Sequence, residues 1–118
     1  MAIGQGEGVE LVLGGKIVSD GALANGHFHQ PTIFGGAKAT MRVAQEEIFG
    51  PVASIIPFDT EADAIRIAND SPYGLSGSLW TNDLGRSIRV TKAVRTGVMS
   101  VNSARTRRKS ASSAICKR

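Results

Sequence analysis

The 118-residue chain has a single cysteine, Cys116. One cysteine closes no internal disulfide and builds no metal cluster. Histidine is scarce too, with only His27 and His29. Two His at i and i+2 of a strand could share a metal, but no third ligand lies near and no metal site is expected. No apolar run approaches the roughly 20 residues that a membrane helix needs. The first eight residues lack the basic and apolar regions of a secretory signal, so a cytoplasmic chain is the expectation. Acid is absent from residues 103–118, which carry Arg105, Arg107, Arg108, Lys109, Lys117 and Arg118. The first 102 residues hold eight bases against ten acids, a net of −2. The overall charge of +4 and the pI near 9.7 therefore come from the tail. Nothing in the charge of residues 1–102 supports a nucleic-acid role.

At this length the chain is one small domain with a modest core. Hydrophobic residues make up 42% and charged residues 20%, a globular rather than a disordered balance. Residues 1–8 hold three glycines and little to bury, and a frayed start is expected. Residues 9–13, Val-Glu-Leu-Val-Leu, read as a strand that ends at Gly14-Gly15. The glycine pair and Lys16 invite comparison with a phosphate loop. The spacing and the following Ser/Thr of that motif are missing, so a plain turn is expected.

Residues 27–34 alternate, with Phe28 on one face and both histidines on the other, and Pro31 marks an edge or an end. The run 52–56 is apolar on both faces apart from Ser54, as in a strand buried on both sides, and Pro57 closes it. Asp59 or Thr60 can cap the next helix, with Thr60 and Asp63 in a shortened capping box. Ala64, Ile65 and Ala68 form its apolar stripe, and Glu61, Asp63 and Arg66 its wet side. The helix stops before Pro72. Residues 75–80 alternate as a strand. Asn82 and Asp83 offer caps for a second helix, with Leu84, Ile88, Thr91 and Val94 as its buried stripe and Gly97 as its stop. Residues 98–101 form the last strand. The alternation of strand and helix in the back half predicts crossover units and a partly parallel sheet.

One stretch organises the rest: Gln45-Glu46-Glu47-Ile48-Phe49-Gly50-Pro51-Val52. Two adjacent carboxylates should point in different directions and do different jobs. An ionised Glu on a turn before a strand accepts hydrogen bonds from a vicinal diol. Phe49 can present a flat face to a ring, although a Phe before Gly-Pro is more often core. Pro51 fixes its own φ and biases Gly50 away from helix. Carboxylate, ring and rigid break together suit the sugar and base of a nucleotide.

This stretch resembles the Glu-Glu-Ile-Phe-Gly-Pro-Val signature of NAD(P)-dependent aldehyde dehydrogenases. Its neighbours match in order: residues 26–33 (Gly-His-Phe-His-Gln-Pro-Thr-Ile), 68–76 (Ala-Asn-Asp-Ser-Pro-Tyr-Gly-Leu-Ser) and 97–102 (Gly-Val-Met-Ser-Val-Asn). The resemblance covers about residues 7–102. It implies an α/β fold, a partial catalytic-domain sheet with two flanking helices, over residues 1–102. It also implies NAD or NADP as cofactor and oxidation of an aldehyde to a carboxylic acid. In the family a cysteine thiolate attacks the aldehyde, hydride passes to the cofactor, and a Glu-activated water releases the acid. By the resemblance the family's catalytic Cys, general-base Glu and oxyanion-binding amide donor all lie before this slice, so no catalytic residue is expected here, and Cys116 does not replace the nucleophile. Two cofactor contacts carry over: Glu47 to the nicotinamide ribose and Phe49 to the nicotinamide. Half a clamp implies negligible cofactor affinity for these residues alone. The remaining expectation is an interaction fragment that associates with a full-length relative or with itself.

After Asn102 the family's glycine-rich Pro-Phe-Gly-Gly stretch is not found. Residues 103–118 read as a divergent basic tail that cannot repay its ordering entropy, and disorder is expected there. A reading-frame change or a truncated gene explains it best. A selected tail that binds nucleic acid or acidic surfaces is the weaker alternative.

Overall fold

The structure, a computed structural model, describes residues 4, 6–103 and 114–117, the last four by their backbone. In chain order the elements are β1 (Glu10–Leu13), β2 (Ile17–Val18), a 3-10 turn (Gly21–Leu23), β3 (Phe28–His29), β4 (Thr32–Gly35), α1 (Arg42–Gln45) and β5 (Val52–Phe58). Then follow α2 (Glu61–Asn69), β6 (Ser76–Leu79), α3 (Leu84–Ala93), β7 (Val98–Val101) and β8 (Ala114–Lys117). The fold is α/β, as expected, and it forms two compact units, the first running through Pro57.

The first unit is built on a four-stranded sheet in the order β1-β4-β5-β8. β1 runs antiparallel to β4, with an irregularity between Leu11 and Leu13, and β4 runs parallel to β5 from the pair Thr32–Val52 onward. Phe34, only 1% exposed, lies at the centre of the core with Val9, Ala37, Val43, Val52 and Ile56. Thr32 is equally buried, and its hydroxyl accepts from Gly15 N–H (2.8 Å) and donates to Gln30 C=O (2.9 Å). Gly14 and Gly15 both have positive φ (75° and 86°), which L side chains rarely adopt. A Cβ on Gly14 would stand 2.0 Å from Pro31 O. The glycine pair is therefore the plain turn read from the sequence.

Three expectations need correction in this unit. The alternating segment 27–34 is two strands, because it breaks at Gln30-Pro31, where proline has no N–H to give the ladder. β3 pairs instead with the short β2, Ile17 opposite His29. β5 is not buried on both faces: Val52, Ser54 and Ile56 are buried, while Ala53 and Ile55 are half-buried. Ser54, the polar exception, is on the buried face because its hydroxyl donates to Val43 C=O (3.2 Å). Of the start expected to fray, residues 1–3 and 5 lie outside the described residues, but Gly4 is anchored. Gly4 is buried, its carbonyl accepts from Glu7 and Val9 N–H, and a Cβ there would meet Val9, Phe34 and Val43 at 3.3–3.4 Å. In the tail, Ala114–Lys117 forms β8 at the sheet edge. The disorder expected over residues 104–113 lies outside the described residues.

The second unit pairs β6 and β7 in parallel, from Ser76–Val98 to Leu79–Val101, with α3 as the crossover. That is the crossover unit the alternation predicted. Thr60 caps α2, its hydroxyl accepting from Asp63 N–H (3.1 Å), and Asp83 caps α3 by accepting from Arg86 N–H (2.9 Å). Glu61 does not sit on a wet face. It is partly shielded and receives Arg86 (3.2 Å) and Arg89 (2.8 Å), tying α2 to α3. The expected stripe of α3 is half wrong. Leu84 is 76% and Ile88 48% exposed, whereas Ser87 and Val90 are buried and Thr91 and Val94 half-buried. Ser87 and Thr91 can face inward because their hydroxyls donate to their own helix, at Leu84 C=O (2.8 Å) and Ser87 C=O (2.7 Å). Gly97 is not the helix stop, since α3 ends at Ala93. Gly97 instead lets the chain approach residue 74, whose carbonyl accepts its N–H at 2.7 Å.

Candidate functional site

The loop 46–51 lies between α1 and β5, at the starting end of the parallel pair β4–β5. α1 is only four residues long, and helices that short are unstable alone. Its N-cap residue, Met41, makes no side-chain cap. The cap comes from far away in sequence: the Glu7 carboxylate accepts from Arg42 N–H (3.0 Å) and Val43 N–H (3.5 Å). At the other end, Gln45 Nε2 donates to Ala39 C=O (2.6 Å), and Ser54 serves the Val43 carbonyl. Glu7 and Ser54 satisfy terminal groups that a helix cannot satisfy itself, while Gln45 ties its end of α1 back to the loop before it.

The two adjacent glutamates do separate. Glu46 N–H donates to Arg42 C=O (2.8 Å), and its carboxylate is gripped by Arg42 through Nε (2.6 Å) and Nη2 (3.0 Å). Hydrogen bonding to Arg42 holds the Glu46 carboxyl below its usual range, against desolvation, which acts the other way. Glu47 is exposed and, among the described residues, makes no hydrogen bond or ion pair. Its oxygens remain open acceptors. Phe49 is 92% exposed, which rules out the core role more usual for such a phenylalanine. The loop exit is fixed. Val52 N–H donates to Gly50 C=O (2.8 Å), closing a three-residue γ-turn on Pro51, and Pro51 C=O accepts from Thr32 N–H (2.8 Å).

The loop thus offers one free carboxylate and one bare ring, two residues apart, between fixed ends. That set fits a vicinal diol and a planar ring. It does not extend to phosphates. The N-terminus of α2 carries Glu61 and Asp63 in its first turn, and that of α3 is closed by Asp83. Gly15 N–H is spent on Thr32. Among the described residues no group of three or more His, Cys, Asp or Glu could hold a metal. His29 Nδ1 lies 2.8 Å from Gln30 O.

Sequence reasoning singled out Glu47 and Phe49 but missed the residues that hold their loop. The Arg42–Glu46 spacing of four was visible as a helical ion pair. Glu7 carried no signal, because its partners lie 35 and 36 residues away.

The sequence model of the aldehyde dehydrogenase family matches residues 1–114. Betaine aldehyde dehydrogenase of Bacillus subtilis is 43% identical over 100 residues, covering 85% of this chain and 20% of that protein. Among solved structures, an aldehyde dehydrogenase of Mycobacterium tuberculosis complexed with NAD+ matches with a TM-score of 0.80 and 52% identity, over 86% of this chain and 20% of the other. A betaine aldehyde dehydrogenase of Staphylococcus aureus in complex with NAD+ matches with a TM-score of 0.86 and 36% identity, over 91% and 21%. The chain spans about a fifth of the length of the curated relatives it matches. The match over nearly its whole length shows that the chain belongs to the aldehyde dehydrogenase family.

Proposed function

We propose that these residues supply the nicotinamide-ribose side of the cofactor site of an NAD(P)-dependent aldehyde-oxidising enzyme. The observation that carries the reading is the division of labour between neighbours. Glu46 is consumed by Arg42, whereas Glu47, two residues before the bare ring of Phe49, has no partner among the described residues. In this reading Glu47 accepts hydrogen bonds from the two ribose hydroxyls, and Phe49 packs against the nicotinamide. The cofactor, when bound, supplies the hydride acceptor. This chain's part is to hold and orient its nicotinamide end.

Binding and orientation are all that the 118 residues contribute. A diol contact and one ring contact fall well short of the ~8 kcal/mol behind a micromolar complex. Isothermal titration of the chain with NAD+ is expected to show no micromolar binding. A micromolar dissociation constant would refute the half-clamp. The family's nucleophile, general base and amide donor are not carried over onto any residue here, so aldehyde turnover by the chain alone is not expected.

A second reading has its own observation. In the second unit Leu75, Trp80, Leu84 and Val98 are all more than half exposed. Apolar side chains left in water favour association, here with a full-length relative or with another copy. Co-purification of such a relative with the tagged chain supports it, and a monomeric chain that captures none counts against it.

A further inference from the structure

We infer that Arg42 and Glu46 are positioning residues for Glu47: their bidentate pair fixes the backbone from which the free carboxylate reaches a ribose diol. This rests on the cofactor reading above and deepens it. Glu47 has no tether of its own, so its placement is inherited from the residue before it. That residue is held twice by Arg42, once at its N–H (2.8 Å) and once at both carboxylate oxygens (2.6 and 3.0 Å). Arg42 is in turn fixed by Glu7, whose carboxylate takes its backbone N–H at 3.0 Å. A chain of contacts therefore runs from Glu7 through Arg42 and Glu46 to the base of Glu47, all within the first unit.

Two physical consequences follow. The fork geometry of guanidinium on carboxylate constrains direction as well as distance, which a single hydrogen bond would not do. The pair also removes Glu46 as a competitor. Its two oxygens are occupied, so a diol arriving at the loop meets one open carboxylate rather than two. An exposed pair of this kind adds little to global stability. Its effect is expressed locally, as pre-organisation of the neighbouring acceptor.

The test is saturation-transfer NMR on the 118-residue chain with NAD+ at about 10 mM, a concentration suited to contacts of a few kcal/mol. The readout is the signal on nicotinamide-ribose protons relative to adenine protons, with an amide correlation spectrum as the fold control. In the unaltered chain the ribose signal should exceed the adenine signal, and Glu47→Gln should remove that excess. Arg42→Gln and Glu46→Gln should each cut it about threefold, with amide shifts confined to the neighbourhood of the loop. The exchanged pair, Arg42→Glu with Glu46→Arg, should restore it to within about twofold. If Arg42→Gln and Glu46→Gln leave the ribose signal unchanged, or the exchanged pair does not restore it, the positioning role is overturned while the cofactor reading survives. If the unaltered chain shows no ribose excess, or Glu47→Gln keeps it, the cofactor reading fails and the positioning role fails with it. Glu46→Gln keeps the inference testable should Arg42→Gln unravel α1.

Discussion

Glu61 of the second unit and Glu47 of the first are treated in opposite ways. In the second unit Glu61 receives two arginines, and hydrogen bonding to Arg89, then to Arg86, lowers its carboxyl to about 2. In the first unit Glu47 receives nothing from the described residues, although an arginine lies close enough to hold its neighbour. The packing differs in parallel. The first unit buries Phe34, Val52, Ile56 and several other side chains. Among its described residues the second buries only Ser87 and Val90, and it relies on a polar clasp between its helices. A unit with a packed core can leave a carboxylate unpaired at its surface. A unit with a thin core spends its carboxylate on holding two helices together.

The largest expected effect tests the core of the first unit. Phe34→Ala should destabilise it by about 3–5 kcal/mol, read from urea unfolding followed by the amide signals of β4 and β5. A loss under about 1 kcal/mol would erase the contrast in packing. Thr32→Val removes a buried hydroxyl that serves two backbone groups and should cost about 1–3 kcal/mol on the same measure.

The clasp of the second unit should be sensitive to acid. Glu61 has a folded value of about 2 against an ordinary 4.5. Between those values the unfolded chain takes up the proton first, so this contribution is full above about pH 5 and is lost as pH falls toward 2. Amide protection of α2 and α3 should drop over that window. Glu61→Gln should remove this part of the pH dependence, and an unchanged profile would show that the clasp is not what holds the helices.

The smallest effect is the sharpest on the sequence reading. Leu84→Ala should cost less than about 0.5 kcal/mol, because Leu84 is exposed. Val90→Ala should cost visibly more in the same melts. Equal losses would reinstate the stripe expected from the sequence.

That last contrast shows what was legible and what was not. Caps and turns were readable because they depend on neighbours in the chain. Thr60 and Asp83 cap where their spacing says, and Gly14-Gly15 turns where two glycines end an apolar run. The parallel pair β6–β7 followed from alternation alone. The inward face of α3 was misread because Ser87 looks polar, yet it satisfies its hydroxyl on its own helix. α1 was invisible because its cap is Glu7, far off in sequence. At the site, residue type and spacing offered a carboxylate and a ring, and the resemblance singled out Glu47 and Phe49. Which of the two glutamates stays free was not legible from the residues, since that is decided by the grip of Arg42 on Glu46.

The most direct measurement incubates the purified 118-residue chain with NAD+ and an aliphatic aldehyde and follows the absorbance of reduced coenzyme. A chain that holds a nicotinamide contact but none of the reacting groups should give no aldehyde-dependent signal. Steady formation of NADH that depends on the aldehyde would contradict that division between holding and reacting.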